Sequence, residues 1–233
     1  TGSVTVEAVR TVSNYAPATD NWTFTVKPKP VVAEVTIAPK DYDGTTAVDN
    51  TAITAAVKAG DLVDAADSIR INGLTGAYED PNAGTGKTVT LNSSAAAVTG
   101  DTGKYTVSYP DTAKGTINPR PVTVAVTLSG NDLQTDNTVT PPAYSYTYDG
   151  TAKNPDVTVT AKDDNAVLAT SDYSVSIIDN KNVGDATVTV TASTGGNYTF
   201  TEARVQFAIK KASAAWNTAP QGKSRTYEGT EQE

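Results

Sequence analysis

The sequence predicts an all-β protein built of small domains in tandem, and three observations carry that expectation. Runs in which apolar and polar residues alternate with period two dominate the pattern of the chain. Thr fills the alternate positions, while Gly, Asn and Asp separate the alternating runs. A four-residue cassette recurs as Tyr42-Asp43-Gly44-Thr45, Tyr148-Asp149-Gly150-Thr151 and Tyr227-Glu228-Gly229-Thr230. Period two puts one face of a strand on a core and the other toward water. Thr suits that surface, because its β-branch fits the pleat and its hydroxyl tolerates solvent. Short strands at this spacing indicate a sandwich or a related sheet fold.

The strands follow in order. Residues 4–9, 22–26, 87–91, 122–128, 186–192 and 205–209 all alternate. Residues 51–69 compete with a helix, being rich in Ala with Leu and Asp. Gly60 interrupts that stretch at a cost of about 1 kcal/mol in a helix, so strand, turn, strand is the preferred reading. The first two cassettes are each followed by an Asn-x-Gly turn leading into a Thr/Val strand: Asn82-Ala83-Gly84 and Asn182-Val183-Gly184. An aromatic comes next, Tyr105 or Tyr198, and then a closing strand with a basic link.

These landmarks divide the chain. Residues 31–121 and 122–211 read as whole repeats. Residues 1–30 carry the C-terminal half of a preceding repeat, with Asn14-Tyr15 standing where Asn197-Tyr198 stands later. Residues 212–233 begin a further repeat. A half-repeat cannot bury its own face, so the ends are expected to be poorly ordered alone. The chain is expected to be a segment of something longer. The links, residues 27–31 and 118–122, alternate Pro with other residues. Pro fixes φ and favours extension, so the joints should be stiff and the whole a rod.

Composition narrows the function classes. The net charge is −8 and the pI about 4.6, which argues against nucleic acid and anionic membranes as partners. The chain has no His, Cys or Met. That removes disulfides, thiolate metal sites, His-based triads and the commonest general base. No apolar run approaches the ~20 residues of a membrane span.

Several local patterns invite a chemistry. Residues 83–88, Ala-Gly-Thr-Gly-Lys-Thr, resemble a phosphate loop, but Pro81 stands where its first Gly is needed and a strand follows instead of a helix. A Gly-rich hairpin turn is the preferred reading. Asp61, Asp64 and Asp67, Asp163 and Asp164, and Asp179 with Asn180 are carboxylate-rich stretches that calcium could use, yet none follows a calcium-loop pattern. A glycosidase pair of carboxylates would arise by chance in any acidic chain. Trp22, Trp216 and the eleven Tyr could stack on sugars, but most Tyr fall at repeat landmarks and read as packing. Thr187, Thr189 and Thr191 resemble a flat ice-binding row, which outward strand faces produce anyway. Lys40 and Asn118 lie on first and last strands and could form an internal isopeptide bond. Asn21, Asn92 and Asn197 begin glycosylation sequons. No catalytic, cofactor-binding or metal residue is assigned, and no enzyme activity is expected.

Two bacterial surface-repeat families resemble these landmarks. Residues 31–121 resemble the YDG repeat of adhesins and haemagglutinin-like proteins. The carrying residues are 41–47, 82–90, 105–107 and the Ile-x-Pro-x-Pro-Val-Thr-Val close at 117–124. Residues 143–211 resemble the MBG-like or Ig-like repeat of large surface proteins, through residues 148–155, 172–175, 182–184, 197–199 and 209–211. The resemblance implies tandem Ig-like β-sandwich, or β-grasp-like, domains in a secreted, non-catalytic stalk of an extracellular cell-surface adhesin. Its implied partners are neighbouring repeats. Two alternatives stay open: a module that binds a glycan or a host protein, and a self-associating filament completed by strand exchange between chains.

Overall fold

The computed structural model describes residues 2–10, 12–14, 18–214 and 222. The all-β class is what it shows. Strands dominate, with 3-10 turns only at Asn50–Ala52, Ala59–Asp61 and Thr170–Asp172 among the described residues. The competing helix over 51–69 is absent: strand Ile53–Ala56, a 3-10 turn and an irregular run occupy that stretch instead.

The chain begins with a hairpin of β1 (Gly2–Arg10) and β2 (Ala18–Val26). It continues with β3 (Lys29–Val32), β4 (Glu34–Ile37), β5 (Lys40–Asp41), β6 (Ile53–Ala56), β7 (Ile69–Asn72) and β8 (Thr75–Tyr78). Then come β9 (Gly84–Asn92), β10 (Ala97–Gly100), β11 (Tyr105–Ser108), β12 (Thr112–Asn118) and β13 (Arg120–Pro121). The remainder holds β14 (Val124–Ser129), β15 (Gln134–Asp136), β16 (Ala143–Thr147), β17 (Asp156–Ala161) and β18 (Tyr173–Ile178). The last three are β19 (Gly184–Ala192), β20 (Tyr198–Thr199) and β21 (Ala203–Lys210).

Two compact units emerge. The first takes in Thr1–Thr123, Ala169–Ser174 and Ala192–Thr201; the second takes in Val124–Leu168, Val175–Thr191 and Glu202–Glu233. In the first, the main sheet runs β5-β12-β9-β8. Val48, Tyr78, Val89 and Ile117 form one buried cluster there, and Ala33, Ile71 and Leu74 form another. The pairs β4–β6 and β7–β10 supply further antiparallel ladders.

The sheet of the second unit runs β15-β16-β21-β19-β18. Leaving out β15, both sheets have one topology. The strand at the cassette pairs in parallel with the closing strand, which pairs antiparallel with the Thr/Val strand. Along β19 the alternation of the sequence is realised as burial: Ala186, Val188 and Val190 are fully buried. Phe207 and Ile209 face them from β21, and Phe207 meets Tyr146 edge-on at 5.4 Å. A phenyl group buried to this degree contributes about 2–3 kcal/mol.

Register repeats as well as topology. Gly84 stands opposite Ile117, and Gly184 opposite Ile209. In the first hairpin Gly2 stands opposite Val26. Each time a Gly opens the Thr/Val strand across from the last aliphatic residue before the basic residues of the link. At the N-terminus β1 and β2 pair along nine residue pairs. A hairpin satisfies its backbone locally even when no second layer covers it. Its faces remain open: Val4, Val6, Trp22 and Phe24 are all exposed.

Candidate functional site: the cassette turns and the link strands

The two described cassettes are Asp-centred turns. Asp43 accepts hydrogen bonds from the Thr45 amide and hydroxyl, both at 2.9 Å. Asp149 accepts from the Thr151 amide at 2.9 Å and hydroxyl at 2.7 Å. Asp mimics a backbone turn in this way. Gly between them takes the left-handed region, at φ 75° for Gly44 and 85° for Gly150.

A lysine completes each turn, but from a different place in the chain. Lys40, three residues before Asp43, donates to its carboxylate at 2.8 Å and to the Thr45 and Ala47 carbonyls at 2.9 Å each. Lys153, four residues after Asp149, donates to that carboxylate at 2.6 Å. Lys40 Nζ lies 5.8 Å from the centre of the Tyr78 ring, and Lys153 Nζ 5.5 Å from that of Tyr146. Tyr146 precedes Asp149 by three residues, the place that Lys40 holds before Asp43. Lysine stands in the first cassette where tyrosine stands in the second, and in both an ammonium, a ring and a carboxylate come together.

These contacts set the acidity of the carboxyls. Lys153 and the two Thr151 bonds hold the Asp149 carboxyl far below the usual range. For Asp43 burial pushes upward, but the bonds from Lys40 and Thr45 outweigh it and leave the group lowered. A third carboxylate is engaged elsewhere in the first unit. Asp67, buried, pairs with Lys104 and accepts from the Tyr105 hydroxyl at 2.6 Å. Lys104 and Tyr105 together lower it. The Tyr105 oxygen accepts in turn from the Val63 amide at 2.6 Å.

The sequence candidates are placed accordingly. Lys87 of the phosphate-loop lookalike is buried in β9 and pairs with Asp80 at 2.7 Å. Asp61 offers its carbonyl to Lys29. Asp64 and Asp164 each cap the amide two residues on. Asn180 ties Lys153 and Asn154 together. Among the described residues no group of three carboxylates gathers as a metal site.

The isopeptide pair is not formed. Lys40 stands opposite Ile117, whereas Asn118 stands opposite Asp41. Neighbouring strand residues point to opposite faces, so Lys40 and Asn118 diverge. Asn118 instead lies 3.3 Å from the Asp41 carboxylate. Thr187, Thr189 and Thr191 are half-buried, not a flat exposed array. Trp22 is exposed; Tyr15, Trp216 and the cassette at 227–230 lie outside the described residues.

The link strands place their prolines by parity. β3 pairs in parallel with β11, Lys29 opposite Tyr105 and Pro30 opposite Thr106. β13 pairs in parallel with β20, Arg120 opposite Tyr198 and Pro121 opposite Thr199. The amides of Lys29 and Ala33 reach the Lys104 and Ser108 carbonyls at 2.8 and 2.9 Å. Those of Arg120 and Val122 reach the Asn197 and Thr199 carbonyls at 2.9 Å each. Pro30 and Pro121 fall between the donors, where a strand tolerates a missing N–H.

Residues 27–113 match the YDG domain. This stretch holds the first cassette, the Asn82-Ala83-Gly84 turn and β3 through β11. No curated protein matches the chain.

Sequence reasoning missed both lysine partners and Asn197. The signal was present for the lysines: each cassette has a Lys within four residues, on opposite sides.

Proposed function

We propose that the chain is a non-catalytic stalk segment of a bacterial cell-surface adhesin or fibre, extracellular, made of Ig-like repeats of which the second is MBG-like. One observation carries this reading. In both units the cassette strand and the closing strand lie side by side and parallel. Tension applied at the start of the cassette strand and at the end of the closing strand pulls them past each other along their length. Every hydrogen bond between them is then loaded together, whereas peeling would load them one at a time. A sheet with the closing strand between the cassette strand and the Thr/Val strand also suits one sheet of an Ig-like sandwich. Pro-bearing link strands, tied to the aromatic strand of the repeat they lead into, support stiff joints.

Force spectroscopy tests the reading. Pulled through its ends, the chain should give a separate rupture for each repeat. Smooth extension without distinct ruptures would contradict it.

A second reading has its own observation. Trp22 and Phe24 are exposed two residues apart on β2, with Val4 and Val6 across from them. Such an aromatic face can stack on a glycan. Glycan-array binding that is lost in Trp22→Ala would favour a binding module over a spacer.

A further inference from the structure

Two surfaces correspond in the two units, and only one of them is covered. The Tyr42 amide donates to the Asn118 carbonyl at 2.9 Å, and the Tyr148 amide to the Lys210 carbonyl at 2.8 Å. Asn118 follows Ile117 and Lys210 follows Ile209, the residues opposite Gly84 and Gly184. Cassette Tyr and Asn-x-Gly turn therefore sit at equivalent points of the two sheets. The connections from β8 to β9 and from β18 to β19 each span five residues, 79–83 and 179–183.

In the first unit an Asn-Tyr-Thr corner covers these points. The Ala83 amide donates to Asn197 Oδ1 at 2.8 Å, and Asn197 Nδ2 lies 3.3 Å from Asn82 Oδ1. The Tyr198 ring meets Tyr42 edge-on, with centroids 5.4 Å apart. The corner is held from behind. The Asn197 amide donates to Asp172 Oδ1 at 2.8 Å, and Asp172 is buried. A Cβ on Gly196 would lie 3.1 Å from the Asp172 Cα, so the backbones already touch closely.

In the second unit the same points are exposed. Tyr148 is 38% exposed and Val183 45% exposed, whereas Tyr42 and Ala83 are half-buried. Residues 179–185 line an open depression of about 460 Å³.

We propose that Tyr148 and the Asn182-Val183-Gly184 turn form a docking socket for the Asn-Tyr-Thr corner of a further repeat of the same build. Asn182 and Val183 offer the amide and carboxamide that Asn82 and Ala83 use, and Tyr148 offers the ring edge that Tyr42 uses. The socket rests on reading the chain as an array of repeats. It adds a rule for stacking: each repeat caps its predecessor through one Asn-Tyr pair.

The test extends the chain. Residues 1–210 are continued by a second copy of residues 119–211, so that Lys210 takes the place of Asn118. Amide hydrogen exchange is followed at Val183, together with solvent exposure of Tyr148. Exchange at Val183 should slow roughly tenfold relative to the parent chain, the order of effect expected of one added hydrogen bond. Replacing the appended copy's Asn with Ala should restore the parent rate. Unchanged exchange at Val183 in a folded extension overturns the socket, while distinct ruptures under force would leave the stalk reading standing. A second measurement does not depend on the extension folding. Asn197→Ala in the parent chain should speed Ala83 exchange roughly tenfold; no change there would show that the corner does not clamp, and the proposal falls.

Discussion

Gly150 is where the cassette is most sensitive to a single atom. Its φ of 85° lies in the left-handed region, and a Cβ there would meet nothing within 4 Å. Gly150→Ala thus isolates backbone strain from crowding, and should lower unfolding stability by about 1–2 kcal/mol in denaturant melts. Lys153 acts on the cassette through charge. Lys153→Ala should raise the Asp149 carboxyl toward its ordinary value, read by NMR titration, because the lysine is the chief cause of its lowering. At this scale the sequence was legible where the chemistry is local. An Asp followed two residues later by Thr, with Gly between, is a turn wherever it occurs. The lysines were legible only as residues near the cassette, because Lys40 and Lys153 reach equivalent carboxylates from opposite sides of it. Asn197 was not legible, since its partners, Asn82 and Ala83, lie more than a hundred residues away.

At the scale of elements, period two located the six strands β1, β2, β9, β14, β19 and β21, and left the others unmarked. Alternation could not show which strands pair. Parallel pairs such as β3 with β11 join segments far apart, and no turn signals them. The parity of Pro30 does follow from that pairing. Pro30→Ala should leave stability nearly unchanged. Val31→Pro removes the N–H at donor parity in the β3–β11 ladder and takes the valine side chain out of a buried site. It should cost about 3 kcal/mol or more, seen as a lowered denaturation midpoint. The nine-residue pairing of β1 with β2 was masked by a different argument. Lack of a covering layer predicts poor packing, yet the hairpin still meets its own backbone needs.

For the whole molecule, the absence of His and Cys leaves the pH range between carboxylates and phenols without side-chain titration. Stability should be nearly flat there. Asp149, Asp67 and Asp43 are lowered in the folded state, so their contribution is present above the unfolded carboxyl pKa and is lost as pH falls through the folded values. Thermal melts should therefore drop below about pH 4. Tyr78 and Tyr146 are raised by burial, so the unfolded chain ionises first, and stability should drop again above about pH 10. All-β class and repetition were readable from the sequence at this scale, because both rest on periodicity. The shared strand order was not, because it depends on long-range pairing.

The central claim is that the parallel cassette and closing strands resist tension applied along their length. β16 and β21 give the cleanest test, with Tyr144 opposite Phe207 and Thr147 opposite Lys210. The chain has no native Cys, so introduced thiols are unique handles. Pulling through Pro142→Cys and Lys211→Cys shears the pair; pulling through Tyr148→Cys and Lys211→Cys peels it from one end. The account predicts a distinctly higher rupture force in the shearing geometry. Equal forces in the two geometries, or a higher force on peeling, would contradict it.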